Sequence, residues 1–451
     1  MNFRIYFLAA YVISCMLFSA CRKDEPLYPS GSNEAVNTWI WREMGRYYYW
    51  QNLLKEPVDF RGDPIDFFNN ILVEEDRFSA IVQSQSTETY NSSLTNTFGF
   101  DLIAIERYGQ EFHILSHVVP QSTGHQLGLV RGDTVYAING EPVRISTIAS
   151  LIQQALTKKE IELTLSHQRR FRIPAAYVAQ PVVYTHRVFE TSEKVGYLYL
   201  SHFDFSGAYP LLSAVAELKA ANIRDLVLDL RYNPGGEVSF AAFCSLLLTD
   251  VRPDDVFVAY RGNKIVADLD ERFSDALARQ PDGYYFSVPT LQSASLKMKR
   301  LYVLTSKHTA SAAELLINNL RPYLTIVHIG DTTFGKDMAS TTRTTPVDVI
   351  GSQQNWHIQP LVYKLFNVDE SGNYTMGITP DHLVFEHQSL PLYPFGDRRD
   401  PLVAKALALL SDNTSSVQVP SSFVSPKRSA TVVLYESLPY TAKPIRIDTS
   451  K

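Results

Sequence analysis

Two short runs, Leu226-Val227-Leu228-Asp229-Leu230 and Leu301-Tyr302-Val303-Leu304-Thr305, are apolar at nearly every position, and each leads into a helical stretch. A strand with one wet face alternates apolar and polar residues, whereas a continuous apolar run belongs to a strand covered on both faces. The stretches that follow, Val238 to Leu248 and Ser311 to Leu320, are long enough to lie across such a sheet, and Thr325 to Ile329 reads as a further strand. This order predicts an α/β layer structure between about residues 194 and 410. A chain of 451 residues exceeds one ordinary core, so the fold class is mixed α/β with several domains.

Upstream, Val36, Trp39, Ile40, Met44, Tyr47 and Tyr48 recur at helical spacing. Asp63 reads as the N-cap of a second helix, with Pro64 in its first position and an apolar stripe of Phe67, Phe68, Ile71 and Leu72. Residues 34–96 are therefore expected to be a small helical unit. Between Phe98 and Leu165 the pattern changes to short strands, Gly99 to Ile103, Phe112 to Leu115 and Thr134 to Ile138, around a helix from Thr147 to Leu156 with Ser146 as its cap. Gly132-Asp133 and Asn139-Gly140 are turn dipeptides. The run Gly128-Leu129-Val130-Arg131-Gly132-Asp133-Thr134-Val135, with Ile138-Asn139-Gly140, resembles a PDZ domain, assigned to residues 97–168. That resemblance implies capture of a peptide's free, apolar C-terminus as an added strand, with the amides of Thr97, Phe98, Gly99 and Phe100 as a carboxylate nest.

Arg4 precedes an apolar stretch from Ile5 to Phe18. It falls short of the ~20 residues that span a bilayer and reads as a secretion signal covering residues 1–21. Phe18-Ser19-Ala20-Cys21 resembles a bacterial lipobox, which implies a lipid on Cys21 and a membrane partner; ordinary signal cleavage is the alternative ending. Residues 22–33, with Pro26, Pro29 and Gly31, read as a tether. Arg22-Lys23-Asp24-Glu25 resembles the acidic export tags of Bacteroidetes surface lipoproteins, so the expected location is the bacterial cell envelope, on the periplasmic or surface face of the outer membrane. Beyond the signal only Cys244 remains, which excludes an internal disulfide; it lies in an apolar run and reads as a buried hydrophobe. The net charge of −5 gives no reason to expect a nucleic-acid partner. The histidines show no metal-site spacing, and no cofactor is expected.

Three segments carry chemistry. In Thr309-Ala310-Ser311-Ala312-Ala313-Glu314 a serine opens a helix, where it is either half of a capping box with Glu314 or a nucleophile beside free backbone N–H groups. Lys336 lies in the loop 330–340, and a lysine acts as general base only as the free amine, with its pKa brought down from ~10.4. Asp229-Leu230-Arg231-Tyr232-Asn233-Pro234-Gly235-Gly236 ends a buried strand in a glycine turn, whose Gly235 or Gly236 amide can pair with that of Ala312 as an oxyanion hole.

Together these segments resemble the S41 peptidases, the C-terminal processing or tail-specific family, with a ClpP/crotonase-like α/β core. The resemblance extends to Gly377-Ile378-Thr379-Pro380-Asp381 and Gly396-Asp397. It implies a serine peptidase with Ser311 as nucleophile and Lys336, in Thr333-Phe334-Gly335-Lys336, as base, 25 residues further on. Many members orient the lysine with a glutamine four residues later; here that position is Ser340, whose hydroxyl can accept a hydrogen bond from the amine. Others place an acid soon after the serine helix, where this chain has Arg321-Pro322. The core is assigned to residues 169–410, leaving 411–451 as a tail with a strand-like piece, Thr431 to Tyr435.

Two rivals are weighed against that reading. Gly330-Asp331-Thr332-Thr333-Phe334-Gly335-Lys336-Asp337 nearly spells a phosphate-binding loop, but Asp337 stands where a magnesium-binding hydroxyl is required and repels phosphate. The second is a PDZ-bearing lipoprotein whose core is catalytically inactive and only binds peptides; the serine in place of glutamine at position 340 favours it, and Ser311, Lys336 and the glycine turn oppose it.

Overall fold

A computed structural model describes residues 28–83, 93–351, 354–388, 390–412 and 431–438, which fall into two compact units. The signal, Cys21 and the tether up to residue 27 lie outside the described residues. Among the described residues no helix is long and apolar enough to cross a membrane.

The first unit comprises the described residues among 1–46, 50–87 and 343–358. Helix α1 (Asn33–Tyr47) buries Val36, Trp39, Ile40 and Met44 along one face. Its buried Asn37 donates to the carbonyls of Phe60 and Gly62 at 2.9 and 2.8 Å, fixing the turn before α2 (Pro64–Ile71). Asp63 caps α2 as expected, accepting from the amides of Ile65 and Asp66, while Pro64 fills a position that needs no donor. The unit is not purely helical, however. Strand β1 (Ala80–Gln83) joins Trp356–Gln359 and Arg343–Thr344 in a three-stranded sheet. Residues 343–358, read in the sequence as part of the α/β core, pack in this unit: their strands satisfy their backbone against the N-terminal segment, and Arg343 pairs with Glu43 of α1 at 2.8 Å.

In the second unit, α3 (Leu94–Phe98) leads into the hairpin β2 (Phe100–Arg107) and β3 (Gln110–Val118). Both strands outrun their apolar segments, because the antiparallel ladder continues through polar residues to a turn at Tyr108-Gly109, where both φ angles are positive. Strand β4 (Val135–Ile138), helix α4 (Ile148–Lys158) and strands β5 (Glu160–Leu165) and β6 (Arg170–Pro174) complete this region, which ends past the expected residue 168. The cap of α4 is Thr147, not Ser146, and its hydroxyl turns back toward the carbonyls of Pro142 and Arg144. Leu102, Ala104, Leu115, Ile138, Ile152 and Leu163 share one core here.

The α/β core places β7 (Val183–Phe189), β8 (Val195–Leu200), β9 (Asp225–Asp229), β10 (Arg300–Thr305), β11 (Thr325–Gly330) and β14 (His382–Leu383) side by side in that order. All pairs are parallel except β7 with β8. Strands β12 (Met338–Ser340) and β13 (Leu361–Phe366) pair in a separate four-stranded sheet. Leu226, Leu228, Leu301 and Val303 face the helices α5 (Ala208–Ala220), α6 (Val238–Leu248) and α7 (Ala312–Leu320). Val227, Tyr302 and Leu304 face α8 (Pro401–Asp412) on the other side. Two-sided cover is why the runs read as continuously apolar. Cys244 is buried within α6, and burial pushes its thiol well above the ordinary range. Strand β15 (Thr431–Glu436) pairs antiparallel with β2, on the edge opposite β3.

Candidate active site

Parallel β9 and β10 end side by side, so the segments leaving their carboxyl ends, 230–236 and 306–311, are neighbours. Backbone and hydroxyl contacts stitch them together. Thr309 Oγ1 donates to the carbonyl of Leu230 at 2.8 Å, the Ala310 amide donates to that of Asn233 at 3.0 Å, and Ser306 Oγ donates to that of Arg231.

Ser311 follows with φ +63° and ψ −124°, a backbone that a non-glycine residue adopts only when its surroundings impose it. The capping reading accounts for half of what is seen. Glu314 accepts from the Ser311 amide at 2.8 Å, but Ser311 Oγ, fully buried, has no hydrogen-bond partner among the described residues. Ser311 and Glu314 thus stand as a capping pair in which the serine hydroxyl itself is left unsatisfied.

The Glu314 carboxylate also gathers the lysine loop. One oxygen accepts from Thr333 Oγ1 at 2.5 Å and the Gly335 amide at 2.7 Å, and the other takes the Lys336 amide at 2.8 Å besides that of Ser311. The Phe334 amide adds a bond to the Thr309 carbonyl at 2.9 Å. Burial pushes the Glu314 carboxyl up, and these donors pull it partly back. Lys336 itself is 1% exposed. Ser340 lies in β12 opposite Leu361 of β13, also buried.

The glycine turn packs directly on the serine. A Cβ on Gly235 would come within 2.7 Å of both the Ala312 nitrogen and Ser311 Cβ, and one on Gly236 within 2.0 Å of the Phe203 carbonyl oxygen. Both have positive φ, so glycine is required on two counts. The Gly235 amide is engaged by Asn233 Oδ1 at 2.8 Å. Those of Gly236 and Ala312 donate to no group among the described residues. Of the expected oxyanion donors, therefore, Gly236 and Ala312 are available, and Gly235 shapes the turn.

Below the turn lies an ionic cluster that local spacing does not reveal. Fully buried Arg231 binds Asp229 at 2.8 Å, Asp400 at 2.7 Å and Glu386 at 3.1 Å, and Arg131 reaches the same Glu386 from the loop before β4. Tyr232 donates to Glu386 at 2.6 Å. Burial alone would raise the Glu386 carboxyl; Arg131 and Arg231 outweigh it and hold it well below the usual range. The five charged side chains come from four parts of the chain, at 131, 229–231, 386 and 400, so only the fold brings them together.

Thr97 and Phe98 end α3, Gly99 caps it, and Phe100 opens β2. The Thr97 amide donates to Ser93, that of Gly99 to Leu94 and Thr95, and Phe98 and Phe100 are buried in the core. Their backbone is thus largely spent on ending α3.

The family model for peptidase family S41 matches residues 194–384, and that for the S41 N-terminal domain matches 35–80, together just over half of the chain. The chain belongs to peptidase family S41. Its S41 relatives include a CtpA-like serine protease of Staphylococcus saprophyticus, 24% identical over 271 residues, covering 60% of this chain and 51% of that protein. The carboxy-terminal processing protease CtpB of Bacillus subtilis is 27% identical over 270 residues, covering 58% of this chain and 51% of that protein. The chain spans about half the length of these curated relatives. The S41 fold is also that of a Bacteroides fragilis crystal structure named for the same family, with a TM-score of 0.67 at 23% identity, covering 87% of this chain and all of that one.

Proposed function

We propose that this S41 chain is a serine endopeptidase of the C-terminal processing type, acting on proteins or peptides of the bacterial envelope. The observation that carries the reading is the Glu314 carboxylate, which binds the backbone amides of both Ser311 and Lys336 and so holds the two loops in one place.

Ser311 Oγ attacks the scissile carbonyl carbon while the free amine of Lys336 takes its proton. Burial of Lys336 removes the water that would favour its ammonium form. The carbonyl oxygen becomes an oxyanion held by the amides of Ala312 and Gly236, at the amino end of α7 where the helix dipole adds to the attraction. The lysine ammonium then protonates the leaving amine, and water repeats the cycle on the acyl-enzyme. Ser340 orients the amine. Peptide tails with apolar ends are captured by the PDZ-like region at the edge of β2, and a lipid on Cys21 holds the protein at the outer membrane.

The test uses protein lacking residues 1–21 on an unfolded substrate, beside Ser311→Ala. Cleavage by the wild type and none by the variant is expected. Equal cleavage by both would remove Ser311 as nucleophile, and no cleavage by either would leave a peptide-binding lipoprotein as the better reading. For the anchor, labelled fatty acid is expected in the full-length chain and not in Cys21→Ala.

A further inference from the structure

The tail strand β15 lies on β2, the edge that the peptide-capture reading assigns to substrate, and its pairing is specific. Ile103 faces Glu436, Ala104 faces Tyr435, and Ile105 faces Val433, with Leu434 bulged out between them. Tyr435 packs on the core that contains α4, whereas Val433 packs on the opposite face with Ile103, Ile105 and Leu392. At the carboxyl end Ser437 closes the pairing. Its amide donates to the Leu102 carbonyl at 2.9 Å, and its hydroxyl accepts from the Leu102 amide at 2.7 Å and donates to Asp101 at 3.0 Å.

The strand is nonetheless lightly held, since Val432 and Leu434 are 54% and 38% exposed. It also reaches the catalytic side. Glu436 lies 2.8 Å from Lys307 Nζ and 3.4 Å from His308 Nε2, in the segment that leads to Ser311, and the His308 ring sits against that of Tyr232. Burial raises the Glu436 carboxyl; His308 and Lys307 more than reverse this and bring it to about 2, so it is ionised at neutral pH.

The geometry points to Thr431–Ser437 as a resident occupant of the peptide edge, an internal copy of the extended C-terminal stretch that a substrate presents, which incoming tails must displace. Because the occupant is tied through Glu436 to Lys307 and His308, its release removes an ionic contact from the segment that leads to Ser311, and tail capture is thereby felt next to the nucleophile. The inference rests on the peptide-capture reading above. It adds that the edge is filled in the resting protein, by an antiparallel strand with an aromatic residue toward α4. An occupant docked nine-tenths of the time weakens the apparent affinity for any competitor about tenfold.

The probe is a fluorescent peptide with the sequence of residues 431–438 and a free C-terminus, titrated into protein carrying the chain from residue 22 onward. Val433→Asp with Tyr435→Asp places charges against both apolar faces and should vacate the edge, so the peptide is expected to bind this variant about tenfold or more tightly than the wild type. Glu436→Gln keeps the strand but loses the ion pair, and an intermediate gain of about threefold is expected. In the unaltered sequence, saturating peptide should accelerate amide exchange at residues 431–437. Equal affinity in all three proteins, no binding to any, or exchange unchanged at saturation would each overturn the inference. Tighter binding by the doubly substituted protein without substrate cleavage would support the occupant and reject the peptidase instead.

Discussion

Two glutamates are buried in the same unit, and their neighbours handle the charge in opposite ways. Glu386 sits between two guanidiniums and is held well below its usual pKa; Glu314 receives neutral donors, three amides and a hydroxyl, and is left above it. The ionic arrangement suits a scaffold, because strong, mutually dependent pairs lock β9, the glycine turn and α8 together. The neutral arrangement suits a reaction centre. It fixes two loops on one carboxylate through three backbone amides and a hydroxyl.

Substitutions should separate the two sites. The largest effect is expected from Arg231→Ala, which leaves Asp229 without its guanidinium and Asp400 and Glu386 with Arg131 alone; a loss of about 3–5 kcal/mol should appear in denaturant melts, with activity falling only as the fold does. Glu314→Gln should act the other way round. Its amide NH2 faces donors it cannot satisfy, so the two loops shift and kcat falls about 100-fold, some 2.7 kcal/mol in barrier, with a much smaller change in melting. A melt as damaged as that of Arg231→Ala, with kcat intact, would erase the distinction.

Acid titration sharpens it further. The depressed Glu386 contributes stability that is present above the unfolded pKa of ~4.3 and is lost as pH falls below it, at up to about 1.4 kcal/mol per pH unit. The raised Glu314 has the opposite sign, its contribution being complete below that value and lost as pH rises through its folded pKa. Stability measured against pH should therefore lose its acid-side slope in Glu386→Gln and not in Glu314→Gln. The smallest effect is expected from Thr333→Val, which removes one of the four donors to Glu314, for about 1 kcal/mol of stability and less than tenfold in kcat.

Much of the frame was legible because it is local. The span Val238 to Leu248 emerges as α6 without change, Asp63-Pro64 opens α2, and continuous apolar runs became the two-sided strands β9 and β10. What failed was long-range. Nothing near residues 343–358 tells that they complete a sheet with Ala80–Gln83, and the tail strand was visible while its partner was not. At the site, the residues alone left Ser311 as cap or nucleophile and Lys336 as loop lysine or base, and the S41 resemblance singled out both together with the glycine turn. That Asn233 takes the Gly235 amide, and that Glu314 spans both loops, depends on side-chain directions that only the folded backbone fixes.

The pairing of β15 with β2 also bears on how the protein behaves in concentrated solution. A chain ending before Thr431 leaves Phe100–Arg107 as a bare edge of eight residues, five of them apolar, and such an edge invites the same strand of another molecule. Expressed in that shortened form, the protein should self-associate through β2 as its concentration rises, so sedimentation at several concentrations would show the closing strand acting as a guard for solubility.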